Sequence, residues 1–247
     1  MKNLVFNMSI KWRNIIAFLA ILILFAQSTE MNATASSRTG TENWEILQHQ
    51  LSRNRQFIAF EIISRYELPG DEAPMNGQYR TIIKKVLSEG EQLRELSEKT
   101  REGDVGVKMG AMNFGIADRF ANHPEELFPT ATSVDLVGRE QRDGEDYIIL
   151  KIRTLFSKKG NFPLTAKIWI LEKNSHPVRV EGVIENVSLP GVKNISFTVK
   201  YDDDENGRSF PSEITISYPI NIFFHHGKIF FQHTLSSWRN VVQRSQL

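Results

Sequence analysis

Histidines and carboxylates are the groups through which this chain could do chemistry, and their spacing argues against it. His225 and His226 are adjacent, between Phe224 and Gly227. Neighbouring residues of a strand point to opposite faces, so the two do not converge on one metal. His233 shares its parity with Phe231 and Leu235. That places it on an apolar face, as a hydrogen-bonded core or cavity histidine rather than a base. Glu181 and Glu185 fall on one face of a strand beside Arg179, with no pocket to make them an acid and a nucleophile. The acidic stretch Asp202–Gly207 lacks the spaced ligands and distant Glu of a calcium loop and reads as a solvated turn. There is no G-x-S-x-G, no H-E-x-x-H, no P-loop and no glycine-rich dinucleotide turn. There is no cysteine, which excludes disulfides, thiol catalysis and Cys-ligated metals. No catalytic residue, metal or cofactor is expected. The reading is of a binding protein and not an enzyme.

The elements that would carry a binding site are strands. Ile195, Phe197, Val199 and Tyr201 alternate with Asn194, Ser196, Thr198 and Lys200. Phe210, Ile214, Ile216, Tyr218, Ile220 and Ile222 repeat the pattern against Glu213, Thr215, Ser217 and Asn221, and Ile229, Phe231 and Leu235 continue it. A period of two over this length predicts an antiparallel sheet with one dry face and one wet face. The candidate ligand-binding residues are therefore Ile195, Phe197, Val199, Ile214, Ile216, Tyr218, Phe231 and Leu235.

Earlier strands are read at Phe57–Tyr66 and Tyr79–Leu87. The turn Arg142-Asp143-Gly144-Glu145 joins Ser133–Arg139 to Tyr147–Thr154, since Asp-Gly is a strong hairpin signal. Ala166–Glu172 and Val178–Val187 follow, and His226-Gly227 is read as the turn into the last strand. Gln92–Leu96 fits a strand or a short helix, because Leu93, Leu96 and the Glu95/Lys99 pair also have helical spacing. Eight to ten strands in mostly sequential order make a large sheet that curls.

Thr41 or Asn43 can cap a helix running to Arg53, with Trp44, Leu47 and Leu51 as one apolar stripe. Between Val105 and Phe128 lie Gly106, Gly110 and Gly115 with Met109, Met112, Phe114 and Phe120. Met and Phe flanked by glycine make adaptable apolar surface. Trp44, Leu47, Leu51, Met109, Met112, Phe114 and Phe120 are the candidate lid.

The first residues read as an address. Lys2, Lys11 and Arg13 precede an apolar run from Ile15 to Ala26, and Ala26-Gln27-Ser28 offers small residues for cleavage. That is the pattern of a secretory signal, and a spanning helix needs ~20 residues. An uncleaved anchor is the rival reading. Export to the periplasm or beyond is expected, with no transmembrane segment left in the mature chain. The formal charge of +1 becomes −2 when those three basic residues leave, so nucleic acid is not an expected partner. The organisation expected is a signal over 1–28, a disordered lead over 29–41, one domain over 42–239 and a tail over 240–247.

Two stretches resemble a known family. They are G-R-E-x-x-x-G-E-D-Y-I-I-L-K-I from Gly138 to Ile152 and A-K-I-W-I-L-E-K-N-S-H-P-V-R-V-E-G from Ala166 to Gly182. They are similar to secreted bacterial proteins of the LolA/LolB-like superfamily, where a Trp-bearing strand carries x-W-I-D-x-x-x-x-x-P-x-x-x-E. Trp169, Ile170, Pro177 and Glu181 match it, and Glu172 stands near the usual Asp. The carriers' Trp- and Pro-containing motif after the second strand is absent, with Glu91–Gly103 in its place. The resemblance implies a mainly β (α+β) fold, an unclosed antiparallel barrel with its concave apolar face covered by one or two helices. It further implies lipid or lipoprotein acyl chains as ligands, envelope proteins as partners and a place in lipoprotein or lipid trafficking. An envelope sensor or scaffold with a filled interior is the alternative within the same fold.

Overall fold

The computed structural model describes residues 39–68, 75–86, 92–101, 116–128, 131, 133–156, 162–189, 191–222 and 225–241. Residues 1–38, Met109, Met112, Phe114 and the last six residues lie outside this set, and with them the expectations of a signal, a disordered lead and a tail.

Helix α1 (Gly40–Ser52) opens the described chain. Its cap is Thr39 rather than Thr41 or Asn43. Thr39 Oγ1 accepts from the Glu42 amide at 3.2 Å, and Glu42 Oε2 accepts from the Thr39 amide at 2.7 Å. This capping box satisfies two of the donors a helix start leaves open. Asn43 lies inside the helix, buried, with Nδ2 donating to Thr39 O. The cap was displaced because Ser/Thr three residues before Glu is the stronger signal, and Thr39-x-x-Glu42 fits it. Leu47 and Leu51 are fully buried one turn apart, each worth about 1.5–3 kcal/mol.

Ten strands follow: β1 (Phe57–Leu68), β2 (Met75–Val86), β3 (Gln92–Arg101), β4 (Ser133–Arg142), β5 (Glu145–Phe156), β6 (Phe162–Leu171), β7 (His176–Leu189), β8 (Val192–Asp203), β9 (Ser209–Ile222) and β10 (His225–Asn240). All pair antiparallel in one sheet of order β3-β2-β1-β10-β9-β8-β7-β6-β5-β4. Gln92–Leu96 is strand, because pairing with β2 outweighs the local helical spacing. The sheet does not close: β3 and β4 are its two edges. The connection between those edges contains a short helix α2 over 116–122. Among the described residues no helix is long and apolar enough to cross a membrane.

The turns follow local chemistry. Asp143 and Gly144 both have positive φ, 54° and 80°, as a two-residue hairpin turn demands. The β9–β10 ladder already includes His225, His226 and Gly227, paired with Ile222, Asn221 and Ile220. His226 and Gly227 are therefore part of β10 and not the turn expected there. In the acidic turn, Asp204 Oδ1 accepts from the Asn206 and Arg208 amides and Oδ2 from the Arg208 guanidinium at 2.8 Å. Although burial pushes the Asp204 carboxyl up, these hydrogen bonds hold it below the usual range. The carboxylate is engaged by its own turn, consistent with the solvated-turn reading.

The β4 edge is guarded. A bulge interrupts its ladder between Leu136 and Gly138, and the first turn of α1 lies against it. A Cβ on Gly40 would stand 2.8 Å from the Leu136 amide nitrogen and 3.0 Å from the Val134 carbonyl oxygen. Only glycine permits this approach. Bulge and helix together blunt an edge that leaves Leu136 and Val137 38% and 50% exposed.

Candidate functional site

The inner face is the candidate site. Phe197, Val199, Ile214, Ile216, Tyr218, Phe231 and Leu235 are all buried, and Ile195 is half-buried against the same core. Ser196, Thr198, Thr215 and Ser217 alternate with them and are less buried, so the expected register holds. Leu47, Leu51 and Phe120 are buried in this core and Trp44 packs against it. Phe120 comes from α2, and Ile116, Ala117, Ala121, Leu127 and Phe128 join it there.

Aromatic rings link cover to sheet. Phe120 meets Phe128 edge-on with centroids 6.5 Å apart, and Phe128 lies 6.3 Å from Phe197 of β8. The tip of the Phe197 ring reaches over Gly182 of β7, its cross-strand partner. A Cβ on Gly182 would fall 2.2 Å from the ring. Tyr66 of β1 covers Gly77 of β2 in the same way. Near that second pair, Tyr66 and Tyr218 stand 6.4 and 6.5 Å from Phe231.

One polar pair interrupts this surface. His233 is 0% exposed, stacked beside Phe231, and its Nδ1 is 2.8 Å from Ser64 Oγ across the β1–β10 ladder. Burial lowers its pKa to about 4, so it is neutral near pH 7. The sequence placed His233 on this face. Its partner was not legible, because Ser64 is 169 residues away and only the β1–β10 register brings it there. Tyr201 is a second polar group inside, its phenol held far above its ordinary pKa by burial.

The outer face is a lattice of cross-strand pairs. Glu61 accepts from Arg80 and from Ser236. Lys200 and Gln232 both reach Glu213. Glu181 pairs with Arg179, as its position predicted, and Arg179 lies 5.9 Å over the Trp169 ring. Trp169 Nε1 donates to Glu140 across a hollow of about 330 Å³. Arg142 pairs with Asp143 and Arg179 with Glu181 along its lining. His123, Glu125 and Glu126, just after α2, bring ligand-type atoms within 4.8 Å. Sequence reasoning did not single them out. Arg119 sits 3.6 Å from Glu126, and His123 pairs with Glu125, whose hydrogen bond raises the imidazole pKa, so the charges are largely met within the set.

No protein-family model and no curated protein matches the sequence. Solved structures do. A LolA superfamily protein from Nitrosomonas europaea shares 16% identity over 82% of this chain and 94% of its own, with a TM-score of 0.39. A DUF1329 family protein from Desulfovibrio piger shares 11% over 83% and 95%, at 0.44. A putative outer membrane lipoprotein-sorting protein domain from Vibrio parahaemolyticus shares 13% over 81% and 92%, at 0.42. Identities and scores this low transfer no function, and the fold assignment rests on the strand order itself. Over most of its length the chain is similar to LolA-superfamily and lipoprotein-sorting structures.

Proposed function

We propose that the protein binds the acyl chains of a lipid or lipoprotein between the inner face of its sheet and the α1–α2 cover, after export to the periplasm. The observation that carries this reading is an unclosed sheet with an inner face apolar from β5 to β1. Its described cover is one stripe of α1 and a short segment around α2. Each methylene buried there is worth about 0.8 kcal/mol, so an acyl chain can bind without a polar motif. This suits a chain with no catalytic constellation among its described residues. Envelope lipid or lipoprotein trafficking is the role such binding would serve.

A second reading keeps the fold and fills the interior with the protein's own side chains, leaving a non-enzymatic sensor or scaffold. The Phe120–Phe128–Phe197 packing favours it. Native mass spectrometry of protein purified from cells separates the two, together with titration by a fluorescent fatty acid. Co-purified lipid and saturable probe binding support the carrier. A lipid-free protein that binds no acyl probe overturns it in favour of the scaffold.

A further inference from the structure

The C-terminal end of α1 meets the sheet at a seam. Its last turn and the turn after it lie beside the start of β7 and the β8–β9 turn, around Asn54, which is 1% exposed. Asn54 Nδ2 donates to the Ser209 carbonyl at 2.6 Å, and Ser209 Oγ donates to the Pro177 carbonyl at 3.1 Å. These bonds fix which way the amide faces. Turned over, its oxygen would confront the Ser209 carbonyl, two acceptors with no hydrogen between them. The remaining atom, Oδ1, is fully buried and accepts no hydrogen bond from the protein.

Asn54 lines a small hollow with Arg53, His176 and Arg208, of about 10 Å³ for the centre of a water-sized sphere. A water needs roughly 10–15 Å³ by that measure, and polar neighbours to hold it. We propose that one structural water fills this hollow, donates to Asn54 Oδ1 and ties α1 to the ends of β7 and β9. The other candidates fit poorly. A cation would face the guanidinium-bearing Arg53 and Arg208, while the turn carboxylates Asp203 and Asp204 are already engaged by His176 and Arg208. An oxyanion is too large for the space. Arg208 is also occupied elsewhere, lying 4.2 Å over the Phe57 ring. The proposal does not depend on what the interior binds. It makes the α1 half of the cover a fixed part of the fold.

An atomic-resolution crystal structure of the mature protein tests it, with water-selective nuclear Overhauser spectra of the same sample. The expected result is one ordered water about 2.7–3.1 Å from Asn54 Oδ1 and a cross-peak to the Asn54 region. A dry hollow overturns the proposal. So does an Oδ1 that has found a protein donor, or an occupant at metal-like distances of about 2.4 Å. Hydrogen exchange gives an independent readout. Asn54→Leu should speed exchange of the amides at 53–57 about tenfold while leaving β5 and β6 unchanged. Unchanged protection at 53–57 would show that the seam does not hold α1.

Discussion

The inner face has two ends built on different principles. At the β6–β8 end, Ala166, Ile168, Val180, Phe197 and Val199 meet Phe120, Leu127 and Phe128 in one buried core. At the β1–β10 end, Tyr66 and Tyr218 pack on Phe231, whose ring stacks on His233 of the Ser64–His233 pair. Both ends use a glycine under an aromatic ring, Gly182 under Phe197 and Gly77 under Tyr66. The first end carries one polar group, the Tyr201 phenol, which burial keeps protonated, and is otherwise held by shape and apolar area. The other adds an imidazole, a group that acid can charge and whose burial is favourable only while it is uncharged. The two ends should respond alike to crowding of a ring and differently to acid.

The largest effect comes from a change that damages the sheet between both ends. Ile216 is 0% exposed on β9, paired with Phe197 on one side and Phe231 on the other. Ile216→Asp places a carboxylate among apolar atoms, with a cost of at least about 4 kcal/mol. Loss of the cooperative thermal transition by circular dichroism is expected. A variant that melts within a few degrees of wild type would mean that β9 is not central to the core.

Acid should separate the ends. His233 has a folded pKa of about 4 against an ordinary 6.5, so the unfolded chain takes up a proton that the folded chain refuses. Its contribution is fully present above pH 6.5 and is lost as pH falls from 6.5 to 4, up to about 3 kcal/mol. Denaturant titrations across that range should show the loss, and His233→Gln should flatten it. An unchanged slope in His233→Gln would remove this residue as the acid-sensitive point.

The alternation of β8, β9 and β10 made the inner face legible, because a period of two survives wherever pairing is regular. Asp143-Gly144 was legible for the same local reason. What escaped lay in long-range register or in local competition. Ser64 meets His233 only through the β1–β10 ladder. Thr39 preceded the residues weighed as caps. Gly40 carries no side-chain signal, and its role appears only where α1 touches β4. Within Val105–Phe128, Phe120 lies in the buried cluster, where Phe and Ala at helical spacing look the same in a lid and in a plug.

Crowding the glycines sharpens the comparison at smaller cost. Gly182→Ala drives a methyl into the Phe197 ring, which is pinned from above by Phe128. Overpacking of this kind costs about 1–3 kcal/mol. Gly77→Ala makes a contact just as close with Tyr66, but Tyr66 is 8% exposed and nearer the surface. The loss in melting temperature should therefore be greater for Gly182→Ala. Equal losses would mean that Phe128 does not restrain Phe197.

The smallest effect isolates the cause of the histidine shift. Ser64→Ala removes the hydroxyl 2.8 Å from His233 Nδ1 and leaves a methyl of similar volume. Losing one buried hydrogen bond costs about 1 kcal/mol, whichever ring tautomer is present. Burial, not the hydroxyl, holds the imidazole pKa down, and Ser64→Ala leaves that burial in place. The variant should thus be less stable by a constant amount at pH 8 and at pH 5, with the acid slope retained. His233→Gln should lose the slope. If Ser64→Ala flattens the slope instead, the hydroxyl sets the protonation state, and the β1–β10 end is governed by a hydrogen bond rather than by the apolar surroundings it shares with the rest of the inner face.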